Sequence, residues 1–143
     1  MLHDENTVVI DRSPDDVYDF LADGLNGPKW RTGIRSIALR SGTVGAVGVE
    51  YAQELTGPGG RGVPGDYRLT RADRPGRIEF EVTAGPLRPK GTYALEPDGA
   101  GTRVTFALDA EPTGMMKLMK GTIRKTMASE VGALDKLKTV LES

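Results

Sequence analysis

Over about residues 115–141, Met116, Met119, Ile123, Met127, Leu134, Leu137 and Leu141 fall within one arc when positions are spaced at about 100°. Lys117, Lys120, Arg124 and Asp135 fall mainly outside that arc, so Thr113 or Gly114 is expected to open an amphipathic helix. At 1.5 Å per residue such a helix is roughly 40 Å long. It must lie along something apolar, and the rest of the chain has to supply that surface. Docking the stripe is worth on the order of 10 kcal/mol before ordering entropy is subtracted.

The surface is visible upstream as a change of period. From Ile34 the apolar residues alternate with polar ones, in segments separated by glycine and proline clusters. Ile37 and Leu39 mark one strand; Val47, Val49, Tyr51, Gln53 and Leu55 form one face of the next, with Glu50 and Glu54 on the other. Tyr67 and Leu69 alternate with Arg68 and Thr70, and Ile78, Phe80, Val82 and Ala84 with Glu79, Glu81 and Thr83. Tyr93 with Leu95, and Val104, Phe106 and Leu108, complete the series. Short turns such as Arg74-Pro75-Gly76 and Asp98-Gly99 make consecutive strands antiparallel. Ahead of this meander, Val8, Val9 and Ile10 suit a strand. Ser13 as N-cap, Pro14 at the first helical position and Asp15 with Asp16 then open a short helix, expected to end near Asp23 with Gly24 as a left-handed cap. A second short helix or turn carries Trp30, the only tryptophan. The fold expected is α+β: about seven antiparallel strands curved around one long C-terminal helix, with two short helices, as a single domain over residues 1–143.

Composition narrows the chemistry. With 19 Lys and Arg against 20 Asp and Glu, the net charge of -1 supplies no field for nucleic acid, and a small, largely neutral ligand fits better. No cysteine is present, which removes disulfides and thiolate nucleophiles and is compatible with a reducing interior. The single histidine, His3, lies in a terminal segment expected to fray, so Ser-His hydrolysis and a zinc site are poor fits. The glycines of residues 57–65 lack a phosphate-binding ending and read as a turn or a mobile lip. No cofactor and no metal is called for. No segment has the roughly 18 apolar residues of a spanning helix, and the N-terminus lacks a signal pattern, which makes a cytoplasmic location the default expectation. Monomer and homodimer both remain open.

The order strand, two short helices, long meander, long helix is that of the helix-grip fold. The segment Val9-Ile10-Asp11-Arg12-Ser13-Pro14-Asp15-Asp16-Val17-Tyr18-Asp19-Phe20-Leu21-Ala22-Asp23, followed by Pro28-Lys29-Trp30 and Gly45-Ala46-Val47-Gly48, resembles the START-related (SRPBCC) superfamily, in particular its polyketide cyclase/dehydrase and lipid-transport branch. The resemblance spans essentially the whole chain. It implies a cavity bounded by the sheet, the short helices and the first half of the long helix, with a tryptophan near its entrance; it implies no shared catalytic residue.

Residues expected at such a cavity follow from the alternation and the helical arc. They are Trp30, Val49, Tyr51, Gln53, Tyr67, Leu69, Phe80, Val82, Tyr93 and Phe106, with Met116, Met119, Ile123 and Met127 from the helix. Tyr51, Tyr67 and Tyr93 offer hydroxyls over an apolar wall, or reach solvent or a backbone carbonyl instead. Gln53 either meets a ligand or water, or is turned outward by a bulge. Methionine side chains adapt to varied shapes, whereas Leu134, Leu137 and Leu141 suit solid core. Glu130 falls inside the apolar arc and demands a cationic partner or a raised pKa, or else reaches the edge of the stripe; Arg71 is one candidate partner. Lys117, Lys120, Arg124 and Lys125 form a solvated face or meet an anionic headgroup or membrane. Three functions follow: binding of a hydrophobic or amphipathic molecule (lipid, sterol or polyketide-like), a cofactor-independent cyclase or dehydratase in which Tyr51, Tyr67, Tyr93 or Glu130 moves protons, and a protein-interaction module with a filled core.

Overall fold

The computed structural model describes residues 1–143, the side chain of Pro58 excepted. Strand β1 (Leu2–Ile10) is followed by helix α1 (Pro14–Ala22) and a 3-10 turn (Gly24–Lys29). The meander comprises β2 (Ile34–Ser41), β3 (Glu50–Thr56), β4 (Gly62–Pro64), β5 (Tyr67–Asp73), β6 (Arg77–Val82), β7 (Lys90–Asp98) and β8 (Gly101–Ala110). A 3-10 turn (Gly114–Met119), α2 (Lys120–Gly132) and α3 (Leu134–Glu142) end the chain.

All pairings are antiparallel, in the order β1-β8-β7-β6-β5-β3-β2. The first strand therefore closes against the last, with Leu2 opposite Ala110 and Ile10 opposite Thr102. His3 is not frayed: it sits inside β1, its ring 2.7 Å from Asp109 and 2.9 Å from Glu5. Three-residue β4, drawn from the glycine-rich segment expected to be a turn or a mobile lip, pairs with the end of β3, whose beginning pairs with β5. Strand β3 starts later than the alternation suggests, and Val47 lies exposed in the preceding loop.

Helix α1 forms for the reasons its sequence gives. The Asp16 amide donates to Ser13 Oγ at 3.2 Å, Pro14 occupies the first turn, and Val17, Tyr18, Leu21 and Ala22 face the core. Its end differs from expectation. Asp23 is extended and its carboxylate accepts from the Leu25 amide at 3.0 Å, starting the 3-10 turn, while Gly24 is not left-handed. Glycine is required there by close approach, because a Cβ would come within 2.2 Å of the Tyr67 hydroxyl and 2.8 Å of the Tyr51 ring.

The C-terminal rod is not one uniform helix. Its first six residues form a 3-10 turn, and the path is interrupted at Ala133, directly after Gly132, a residue of poor helix propensity. Asn6 of β1 clasps this junction, its side-chain amide donating to the Val131 carbonyl at 3.1 Å. The core fills the space between rod, α1 and sheet, with Ile10, Val17, Val104, Leu134 and Leu137 fully enclosed. No helix among the described residues is long and apolar enough to cross a membrane.

Candidate functional site

The concave face of the sheet carries a continuous aromatic row. Ring centroids lie 5.1 Å apart for Tyr51 and Tyr67, 5.5 Å for Tyr67 and Phe80, 5.9 Å for Phe80 and Tyr93, and 4.6 Å for Tyr93 and Phe106. Register explains the row, since Tyr51 faces Tyr67 across β3 and β5, and Tyr93 faces Phe106 across β7 and β8. Phe80 faces Gly91, where a Cβ would come within 2.1 Å of the ring; glycine lets Phe80 lie flat across β7. Trp30 stands edge-on to Tyr93 and Phe106, at 6.2 Å from each.

Above this row the rod does not close onto the sheet. A cavity of about 410 Å³ remains, walled by the row from Tyr67 to Phe106, by Met116, Met119, Ile123 and Met127 from the rod, and by Leu55, Val63, Pro64, Pro86, Leu87 and Pro89 from β3, β4 and the loop before β7. Of the residues anticipated at the cavity, Trp30, Gln53, Tyr67, Leu69, Phe80, Val82, Tyr93, Phe106, Met116, Met119, Ile123 and Met127 line it. Val49 and Tyr51 do not. Both are completely enclosed, and the Tyr51 hydroxyl accepts from the Gly24 amide at 3.1 Å, so the 3-10 turn after α1 covers Tyr51 and removes it from the cavity wall. Tyr51 is consequently no candidate for proton transfer to a ligand.

The polar groups of the cavity gather on one side. Arg31 donates from Nε to Glu130 Oε2 at 3.1 Å and from Nη1 to Gln53 Oε1 at 3.2 Å, and Gln53 Nε2 donates to the Gly65 carbonyl at 3.0 Å. Gln53 thus points inward with both ends of its amide paired, and no bulge turns it out. Glu130 does find a cation, but it is Arg31 and not Arg71. A register shift between Leu69 and Arg71 turns Arg71 to the exposed outer face, where it pairs with Asp73 and Glu79. Burial works against the Arg31 charge, but the neighbouring Glu130 carboxylate and the tyrosine oxygens outweigh it and hold the guanidinium's pKa above its ordinary value.

Tyr67 and Tyr93 complete this side. Burial raises both phenol pKa values, with Arg31 opposing the shift, so both groups stay protonated at neutral pH. Neither hydroxyl has a hydrogen-bond partner among the described residues, and no side-chain polar atom is both sealed and unpaired. The two O–H groups are therefore open donors. No group of three His, Asp or Glu side chains among the described residues is arranged to hold a metal ion.

Sequence reasoning missed Arg31, Asp23, Gly24 and the proline-rich loop walls. Arg31 follows Trp30 in a turn without periodicity, and only the inward carboxylate of Glu130 signalled that some cation had to meet it.

The same fold occurs in solved structures. The chain superimposes on protein TTHA0849 of Thermus thermophilus with a TM-score of 0.77 at 20% identity, covering 98% of this chain and 97% of the other. For a STAR-related lipid transfer protein of Xanthomonas axonopodis the TM-score is 0.73 at 22% identity, with 99% and 86% covered. For the di-domain ARO/CYC StfQ of the steffimycin biosynthetic pathway it is 0.75 at 17% identity, covering 98% of this chain and 50% of that one. At these identities the likeness is one of fold. No curated protein matches the sequence. The family described as polyketide cyclase / dehydrase and lipid transport matches residues 1–142, and the chain belongs to it.

Proposed function

We propose that this protein binds a hydrophobic or amphipathic small molecule in the cavity between sheet and rod. The observation that carries the reading is the space itself: about 410 Å³, apolar on most sides and polar at one, within the range of about 300–1,000 Å³ usual for small-molecule sites. A well-packed core keeps few voids larger than a water molecule, so a volume of this size is a feature of the design. A protein-interaction module would have a filled core, and this core is not filled. Native mass spectrometry of the protein as purified, followed by thermal shift against a panel of lipids, sterols and aromatic polyketides, tests the reading. Bound mass or a rise in Tm supports it; neither, across the whole panel, overturns it.

A second reading, a cofactor-independent cyclase or dehydratase, is favoured by one specific observation. Tyr67, Tyr93 and Glu130 face the same cavity beside Arg31, so a folded reactive chain would meet two phenol donors and a carboxylate acceptor at one end. Turnover of a linear poly-β-ketone that survives Tyr67→Phe, Tyr93→Phe and Glu130→Gln together would remove it.

A further inference from the structure

Resting on the ligand-binding reading above, we propose that the polar side of the cavity selects a neutral ligand carrying a carbonyl-type acceptor oxygen, received by the hydroxyls of Tyr67 and Tyr93, and rejects carboxylates. Three charged side chains line the cavity: Asp23, Arg31 and Glu130. The Arg31 charge is already met by Glu130 at 3.1 Å, and a second of its N–H groups donates to Gln53 at 3.2 Å. A ligand carboxylate would be a third anion beside Asp23 and Glu130 against one guanidinium, in a cavity whose walls are mostly apolar, a balance that disfavours its entry. A ketone, aldehyde or ester adds no charge. It supplies lone pairs to two phenol donors that find no acceptor among the described residues and stand open to the cavity, so a ligand acceptor there makes hydrogen bonds the protein leaves unmade.

The position of the donors is fixed by packing. The Tyr93 ring stacks on Phe106 at 4.6 Å, and the Tyr67 ring lies 5.1 Å from Tyr51, with its hydroxyl over Gly24. Neither ring can swing to another acceptor without disturbing the aromatic row, so the donors are preorganised for whatever enters.

The test uses four naphthalenes of one size: 2-acetylnaphthalene, 2-ethylnaphthalene, 2-naphthoate and 2-(aminomethyl)naphthalene, titrated by competition against the neutral fluorophore N-phenyl-1-naphthylamine at neutral pH. Hydrophobicity alone ranks the ethyl compound first. Recognition by the tyrosines instead puts the acetyl compound ahead of the ethyl by about threefold or more, and ahead of the naphthoate by about tenfold or more. In the Tyr67→Phe/Tyr93→Phe protein the acetyl preference disappears while ethyl binding persists, which also reports that the variant is folded. Naphthoate or the amine binding as tightly as the ketone overturns the proposal, as does a ketone preference that survives the double substitution. If the variant does not fold, the acetyl-to-ethyl ratio of the unaltered protein decides alone. Ethyl binding with no acetyl preference sinks only this inference, whereas no binding by any of the four compounds or the fluorophore sinks the ligand-binding reading and this inference together.

Discussion

Over α3 the C-terminal rod buries Leu134 and Leu137 completely, and Lys138 ties it to β1 by reaching the Val9 carbonyl at 2.6 Å. Over residues 114–119 the same rod buries no side chain and leaves Met115 and Leu118 83% and 86% exposed. Both halves belong to one rod against one sheet, yet one is solid core and the other is a roof. The difference lies in the side chains. Branched leucines fill fixed holes, whereas Met116, Met119 and Met127 can cover an opening of variable shape. Local structure follows the same division: the roof begins as a 3-10 turn without a side-chain cap and has Gly121 in the first turn of α2, while the anchor is fastened by Asn6, Lys138 and Glu142. Stability is concentrated in one half so that the other can be left open.

The sharpest way to break this contrast is to truncate one side chain in each half. Leu137→Ala empties a fully enclosed site in the anchor and is expected to cost about 2–5 kcal/mol in urea denaturation. Met119→Ala, at a position 42% exposed, is expected to cost less than about 1 kcal/mol while changing ligand affinity. Equal losses at the two sites would mean that the roof is packed like the core.

Glu130, near the end of α2, lies where roof meets anchor. Glu130→Ala leaves the Arg31 guanidinium without its carboxylate inside the cavity, and a loss of roughly 1–3 kcal/mol is expected. Arg31→Met combined with Glu130→Leu removes both charges and should recover most of that loss. A double variant as unstable as Glu130→Ala would show that the ion pair holds the fold by more than mutual neutralisation. Hydrogen exchange sharpens the same contrast without substitution: amides of residues 114–122 are expected to exchange faster than those of residues 134–141, and a bound ligand should slow the first group far more than the second.

What can be read in the sequence, and what cannot, divides along physical lines. Val104, Phe106 and Leu108 alternate over one unbroken strand, and the Ser13-Pro14 start of α1 is a local signal decided by local hydrogen bonds; both are legible. Period puts Gln53 and Glu130 on the inward faces but leaves open whether each side chain stays there, and the contacts with Arg31 decide it. Alternation misplaces Arg71 because a single extra residue after Leu69 reverses which face the strand shows, and nothing in the side chains marks a bulge. Alternation correctly turns Tyr51 inward, and only the turn at Gly24 seals it away from the cavity. Gly24 carries that information, but as a steric demand set by Tyr67 from 43 positions onward in the sequence, which no local pattern expresses. Arg31 and the walls from Val63 to Pro89 sit in segments without period, so their contribution to the cavity exists only once the strands have been paired.

The smallest expected effect concerns how the anchor responds to acid. Glu142 accepts from Lys138 at 2.7 Å and from the Asp11 amide at 2.8 Å, and these contacts, Lys138 first, hold its carboxyl below the usual range. A carboxyl with a depressed pKa in the folded state stabilises the fold fully above its unfolded value, about 4.3, and the contribution fades as pH falls through the folded value. The difference in Tm between the unaltered protein and Glu142→Gln should therefore be present near about pH 7 and shrink towards zero by about pH 3. Lys138 still reaches Val9 when Glu142 is protonated, so α3 stays docked and only the end of the rod loosens. The roof has no counterpart to lose, since none of its exposed lysines forms an ion pair among the described residues, and the exchange of residues 114–122 should be indifferent to the same titration. Acid that freed the roof before the anchor would contradict the division of labour drawn between them.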